Sequence, residues 1–371
     1  MTPVHLTVLG VPGHRRVTLL AAAARSAGLP EPAVLPWSDV LRGTYRIAPG
    51  TVLRVDSPGG DEAVDALLRG PALGSGYAAT RVEGMAAWYA GMTGALEGVA
   101  RAVRAAPGAR LLTDPAETAV MFDKRRTHRL LARAGVPVPP ALDQGAEPVR
   151  NWTDLRERLA AAGLRRVFVK PAHGSSASGV LALEFGPRGE AAATTSAAWR
   201  GDELHNSLRV RRYREERQIA AIVDRLAPEG LHVERWVPKS SQHGRSTDLR
   251  VVVVAGRATH VVARTGSGPM TNLHLGGARG DLELVRAAAG PAWAGLLETA
   301  ERAAACFPGS PLAGVDVLPT AGWRRYLVGE VNAFGDLLPG LTGLPGGPAE
   351  GLDTYGAQLR ALLTADPGAT P

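Results

Sequence analysis

The chain has 371 residues, enough for two or three domains and a sizeable core, with 45% hydrophobic side chains and only 5% aromatic ones. Formal charge is +7, but the basic residues are spread along the chain, so the excess is weak support for nucleic-acid binding, and nucleic acid is not an expected partner. The longest apolar runs, such as Val251–Ala255, fall far short of the ~20 residues a membrane span needs, and the single cysteine, Cys306, offers neither a disulfide partner nor a metal-ligand spacing.

In chain order, Val4–Val11 reads as a first strand, with no basic segment before it and no cleavage site behind, which predicts a cytoplasmic protein. Val17–Ala27 is Ala/Leu-rich and helical; Thr51–Asp56 is a second strand, leading through "SPGGDEAVDALLRG" into a helix with acidic residues in its first turn. Gly84–Ala106 is helical, and Arg110–Thr113 a third strand. This alternation predicts an α/β domain with a parallel sheet. "GVPGHRR" lacks the G-x-G-x-x-G spacing, so no dinucleotide site is expected there.

Asp114–Arg133 reads as one helix opened by Asp-Pro and closed by Gly135. Prolines 137, 139 and 140 then forbid helix and make a stiff connector. Leu155–Ala162 is helical. Val167–Pro171 and Val180–Phe185 are strands joined by a Gly/Ser loop; Pro187–Asn206 reads as a mobile surface loop; "RVRRYREER" (Arg209–Arg217) reads as a solvated helix face, running into a helix over Glu216–Leu226. Val233–Val237 is a strand, Leu249–Ala255 and Ala258–Arg264 a hairpin about Gly256, and Gly314–Leu318 with Tyr326–Asn332 a second pair. Helices over Ala292–Cys306 and Asp353–Leu363 complete a strand-rich last third.

Four stretches can carry chemistry. In "VFVKPAHGSSASGV" (Val167–Val180) a lysine precedes a Gly/Ser loop, the reverse of the phosphate loop G-x-x-x-x-G-K-[ST]. Backbone N–H groups of such a loop can cradle anionic oxygens under a flap, with Lys170 as a point charge; an ordinary hairpin tip is the equal alternative. Glu330 and Asn332 stand two apart, on one strand face, with Asp316 central in the partner strand. They are either a hard, all-oxygen site suited to Mg²⁺ or polar residues that cap strand ends. Arg250 and Arg264 sit near the open ends of the hairpin, where two guanidinium groups could clamp phosphate or carboxylate. "TNLHLGG" follows, with Asn272 and His274; Asp336 is a weaker candidate in a glycine turn. Only three of the 42 basic residues are lysine, Lys124, Lys170 and Lys239, and a lysine kept amid so much arginine points to a need for a compact ammonium.

Together these residues resemble the ATP-grasp superfamily, in particular its glutathione synthetase-like and ribosomal-protein glutamate ligase-like branch. The resemblance runs from Asp114 to Leu341, with the motifs in family order. "DKRRTHRLLARAGVPVPP" is similar to the first lysine segment, with Lys124 reaching the nucleotide phosphates. "VFVKPAHGSSASGV" is similar to the second, with Lys170 on the α/β-phosphates and Gly174, Ser175, Ser176 and Gly179 in the mobile flap. "VERWVP" resembles the adenine hinge, with Glu234, Trp236 and Val237 framing the base. "TDLRVVVV" and "VVAR" resemble the segments of the phosphate and substrate arginines, Arg250 and Arg264. "TNLHLGG" resembles the Asn-Leu-His loop, and Asp316, Glu330 and Asn332 the metal triad.

The resemblance implies an ATP-grasp fold: a Rossmann-like domain over residues 1–113, a central subdomain over 114–232, a C-terminal, mainly antiparallel subdomain over 233–366, and a frayed tail from 367 to 371. It implies a ligase that joins a small-molecule or peptide carboxylate to an amine nucleophile through an acylphosphate, releasing ADP and phosphate. ATP and Mg²⁺ (two ions, or Mn²⁺) are the implied cofactors, and a homodimer is allowed. Lys170, Arg250 and Arg264 are the implied catalytic residues. A small-molecule kinase and a non-catalytic nucleotide-binding module on the same fold are the alternatives. After Glu-Val-Asn the chain runs through "AFGDLL" before Pro339–Gly340, longer than relatives do, so the resemblance does not carry their particular substrate.

Overall fold

The computed structural model describes residues 5–70, 80–142, 147–175, 177–335 and 338–364, with the side chain of His274 left aside. No described helix is long and apolar enough to cross a membrane.

The first unit is a four-stranded parallel sheet in the order β2-β1-β3-β4. Its elements are β1 (His5–Gly10), α1 (Arg15–Ser26), β2 (Ala33–Pro36), α2 (Trp37–Arg42), β3 (Thr51–Val55), α3 (Glu62–Arg69), α4 (Met85–Ala105) and β4 (Arg110–Leu111). All five β3 residues are buried, as a central parallel strand requires. The expected alternation holds; β2 and α2 were not anticipated.

The expected helix Asp114–Arg133 is two helices, α5 (Pro115–Met121) and α6 (Lys124–Arg133). Asp123 breaks it. Its backbone is extended, and its carboxylate accepts from the N–H groups of Arg125 and Arg126, which caps a new N-terminus. α7 (Trp152–Ala161) follows the proline connector.

The second unit is a five-stranded antiparallel sheet, β8-β7-β6-β5-β9. It comprises β5 (Arg166–Pro171), β6 (Leu181–Phe185), β7 (Ala191–Arg200), β8 (Glu203–Tyr213), α8 (Glu216–Leu226) and β9 (Leu231–Arg235). The segment expected as a mobile loop, Pro187–Asn206, holds β7 and the start of β8. β7 hydrogen-bonds on both edges, to β6 and β8, so its small Ala and Thr residues are a buried strand interior. The arginines expected on a helix face, from Arg209 to Arg212, lie on β8 instead. The expected division at 232/233 falls inside β9, which pairs with β5.

The third unit is a six-stranded sheet, β13-β12-β11-β14-β15 with β10 beside β11. Its elements are β10 (Ser241–Gln242), β11 (Arg245–Val254), β12 (Arg257–Gly266), β13 (Ala278–Arg279), α9 (Leu282–Ala289), α10 (Trp293–Ala304), β14 (Leu312–Pro319), β15 (Tyr326–Asn332) and α11 (Thr354–Thr364). Both expected hairpins are present, and α9 was not anticipated. One buried core joins α4, α6 and α10 to this sheet; α11 packs against β11 and β12 through Ala357 and against β1, β3 and α1 on its other side, tying the end of the described chain to its beginning.

Candidate functional site

All three lysines of the chain line one cleft between the second and third sheets. Its volume is about 770 Å³, counted to its open mouth. Lys124 opens α6, directly after the capping Asp123. Burial would raise the Asp123 pKa, but the Arg125 guanidinium beside it holds the carboxylate below its usual range. The cap fixes the helix start, and the Lys124 ammonium then reaches Glu330 Oε1 at 2.9 Å and donates to the Gly174 carbonyl. One side chain thus joins the first lysine segment, the root of the Gly/Ser loop and β15.

Lys170 lies on β5 and Glu234 on the neighbouring β9, where Lys170 Nζ meets Glu234 Oε1 at 2.6 Å. The other oxygen, Oε2, is 3.0 Å from His232 Nε2. Glu234 is buried, which alone would raise its pKa; the Lys170 charge and the His232 hydrogen bond outweigh this and hold it at about 2. Burial pulls Lys170 down, but Glu234, Glu330 and Asp316 together push its pKa up.

The third sheet contributes a chain of alternating charges. Arg250 on β11 stands opposite Asp316 on β14, and both its Nε and its second terminal nitrogen bind that carboxylate, the latter at 3.2 Å. Gly314 makes room: a Cβ there would lie 3.3 Å from Arg250 Cδ. Arg264 on β12 reaches Asp316 Oδ2 at 3.0 Å and Asp248 Oδ1 at 2.7 Å. Thr271 donates its hydroxyl proton to Asp248 Oδ2, and Lys239 Nζ lies 3.4 Å from that oxygen and 3.0 Å from Thr271 Oγ1. Burial raises the Asp316 pKa, but the two arginines more than offset it and keep the group ionised. Gly277 lets the 271–277 loop fold on itself, since a Cβ there would sit 2.4 Å from the Thr271 carbonyl oxygen.

Of the residues singled out from sequence, Lys124, Lys170, Gly174, Glu234, Val237, Arg264, Asn272, Asp316 and Glu330 line the cleft. Arg250 is buried against Asp316. Asn332 donates its amide to the Gly314 carbonyl at 3.1 Å. Ser175, Gly179 and Trp236 are not among the lining residues. The Trp236 ring is tilted against Phe168 with the Arg166 guanidinium 4.0 Å over it, and the backbone N–H of Trp236 donates to the Arg166 carbonyl, so that backbone donor is already engaged. Ser176, Asp336 and the His274 side chain lie outside the described residues. His173 stacks on Tyr89 at 3.9 Å and bonds the Phe122 carbonyl, so it packs the loop root against α4.

Sequence reasoning missed Phe168, Arg235, Asp248, Met270, Thr271 and, as a site residue, Lys239. The scarcity of lysine was the available signal for Lys239, and alternation along β11 was that for Asp248, which shares a face with Arg250. Phe168, Val180 and Met270 belong to one small apolar cluster, so one wall of the cleft is suited to a flat, apolar-faced ligand, beside the charged groups.

Asp316 and Glu330 are direct partners across β14 and β15, with Asn332 two residues on. The donor set is two carboxylates and an amide, hard oxygens that fit Mg²⁺. Among the described residues no cluster of three His, Cys, Asp or Glu could hold a metal ion. The carboxylates are engaged instead by Arg250, Arg264 and Lys124.

No family model matches the sequence, and no curated protein matches it. Solved structures do. The ATP-grasp ligase PsnB with its minimal precursor is 17% identical with a TM-score of 0.55, over 97% of this chain and 98% of that one. A further PsnB structure, with a TM-score of 0.54 at 16% identity, holds a phosphomimetic variant of the minimal precursor, Mg and ADP. The D-cycloserine synthetase DcsG is 19% identical with a TM-score of 0.54, over 96% of this chain and 98% of that one. The fold is therefore that of ATP-grasp ligases over nearly the whole chain.

Proposed function

We propose that this chain is an ATP-grasp superfamily enzyme, an ATP-dependent ligase that activates a carboxylate as an acylphosphate and transfers it to an amine. The observation that carries this reading is the convergence of Lys124 and Lys170 with Asp316 and Glu330 at one cleft, beneath the root of a Gly/Ser loop. The PsnB and DcsG likenesses support it at the level of the fold.

In this reading Phe168, Val180 and Met270 face the base, and the backbone of Val237 offers it polar groups. Lys124 and Lys170 exchange Glu330 and Glu234 for phosphate oxygens, with Gly174 and the loop after it closing over them. Mg²⁺ held by Asp316, Glu330 and Asn332 would neutralise phosphate charge. An oxygen of the substrate carboxylate attacks the γ-phosphorus as the bond to the ADP oxygen breaks. Arg250 and Arg264 offset the charge that builds on the transferring group, and fixed positive charge in a site shielded from water is the main contribution such a protein makes. The amine then attacks the acyl carbon, and phosphate and a proton leave. Neither step needs a covalent protein nucleophile.

The test is Mg²⁺-dependent ADP release across pools of carboxylates and amines, with mass spectrometry of the product. A ligase product carries no phosphate. Lys170→Ala and Glu330→Ala are expected to abolish ADP release; undiminished turnover in both would sink the reading.

A further inference from the structure

Lys239 has no role in the mechanism above, yet it lines the cleft with its side chain 8% exposed. It is also less neutralised than Lys124, Lys170 or Arg264 there. Lys124 faces Glu330 at 2.9 Å and Lys170 faces Glu234 at 2.6 Å. Arg264 has two carboxylates, at 2.7 and 3.0 Å. Lys239 has, among the described residues, only the Thr271 hydroxyl at 3.0 Å and Asp248 at 3.4 Å, and Asp248 already serves Arg264 and Thr271. Burial, with the nearby Arg264 charge, outweighs Asp248 and the more distant Asp316 and lowers the Lys239 pKa, as expected for a charge short of compensation. Keeping an under-compensated ammonium out of water is costly, and a ligand anion removes the cost.

The position says which anion. A carboxylate being phosphorylated must lie at the γ-phosphorus, beside Asp316, Glu330 and Arg250. A chain of contacts runs from Lys239 through Asp248 and Arg264 to Asp316, and Lys239 makes no direct ion pair with Asp316 among the described residues. It is therefore one cation removed from the reacting centre, on the wall formed by Thr271.

We infer that Lys239 is a specificity residue that binds a second anionic group of the acid, so that the substrates are acids carrying another carboxylate besides the one activated. The inference rests on the ligase reading for the identity of its ligand. It makes Lys239 a binding group, held in place by Thr271 and Asp248.

The experiment uses pairs of acids that differ by one carboxylate: glutamate against 4-aminobutyrate, aspartate against β-alanine, and succinate against propionate. Each is titrated calorimetrically into the protein loaded with ADP and Mg²⁺, and each is assayed for acid-dependent ADP release with ATP. In at least one pair the wild type is expected to bind the dicarboxylate about tenfold or more tightly, the usual scale of one charge-assisted contact. Lys239→Met is expected to reduce that ratio to near one, and Lys239→Gln, which keeps a hydrogen bond for Thr271, to do the same. Lys239→Arg should retain part of it. Because the ratio is taken within one protein, partial unfolding of a variant cancels. No preference by the wild type in any pair, or a preference that both variants keep, overturns the inference. A preference that Lys239 controls, with no ADP release from any acid and amine, overturns the ligase reading and leaves the anion site standing.

Discussion

Glu234→Gln tests the buried centre of the half of the cleft proposed to hold the nucleotide. The carboxylate is paired with Lys170 at 2.6 Å and with His232 at 3.0 Å, and its folded pKa is about 2, against about 4.5 for an ordinary glutamate. That difference, at 1.36 kcal/mol per unit, corresponds to about 3 kcal/mol of stability. The folded pKa is depressed, so the contribution is fully present above the unfolded value near 4.5 and disappears as pH falls toward 2. The amide cannot ionise, and it leaves the Lys170 charge buried without its partner, a loss of the same order. Urea unfolding of wild type and Glu234→Gln, followed by fluorescence from pH 7 to pH 3, should show a gap of about 3 kcal/mol at pH 7 that narrows to about 1 kcal/mol at pH 3. Other carboxylates titrate in both proteins and cancel. A gap that stays constant over this range, or no gap at pH 7, refutes the reasoning that Glu234 is held ionised by Lys170 and His232.

Two smaller changes probe how the backbone presents the site. Asp123→Ala removes the cap of α6, which should cost about 1 kcal/mol and loosen Lys124. The signature is faster hydrogen exchange at the start of α6 and at the Gly174 root, with β11 and β14 unaffected. Gly277→Ala places a methyl 2.4 Å from the Thr271 carbonyl oxygen, so the 271–277 loop must open at a cost of about 1–3 kcal/mol. Thermal melting should register that loss, and ADP binding should weaken with it; unchanged melting would show that the loop has room.

Much of this fold was legible because strands and helices carry their own periodicity, and the parts that were not legible depend on pairing. β5, β11 and β15 read as strands from their alternation and β-branched residues. β7 did not, because "AAATTSAAWR" has no apolar alternation and becomes a strand only between β6 and β8. The break between α5 and α6 was hidden for another reason: Asp123 sits in a run that is helical on both sides, and only its capping bonds distinguish it from a surface acid. In the site, spacing gave Glu330 and Asn332 on one strand face, and lysine scarcity gave Lys124 and Lys170. Neither gave Thr271, which meets Asp248 and Lys239 only after β11, β12 and the 269–272 segment are brought together.

On the proposed ligase reading, the same ion pairs determine how a nucleotide enters. Each cation assigned to phosphate in that reading holds a carboxylate: Lys124 with Glu330, Lys170 with Glu234, and Arg250 and Arg264 with Asp316. Breaking such a buried pair from one side leaves the other charge stranded, at several kcal/mol. A nucleotide alone supplies anions for the cations and strands the carboxylates; a nucleotide with a divalent cation supplies partners for both. Binding should therefore be an exchange of partners that requires the two together. ADP is expected to bind at least tenfold more tightly with Mg²⁺ than without it, read by calorimetry. Glu330→Gln separates this from ordinary metal bridging. It frees Lys124 from its carboxylate, so metal-free ADP should bind more tightly to the variant than to wild type, while the gain from Mg²⁺ shrinks. If the variant binds metal-free ADP more weakly than wild type does, Lys124 is not held back by Glu330, and the exchange argument is wrong.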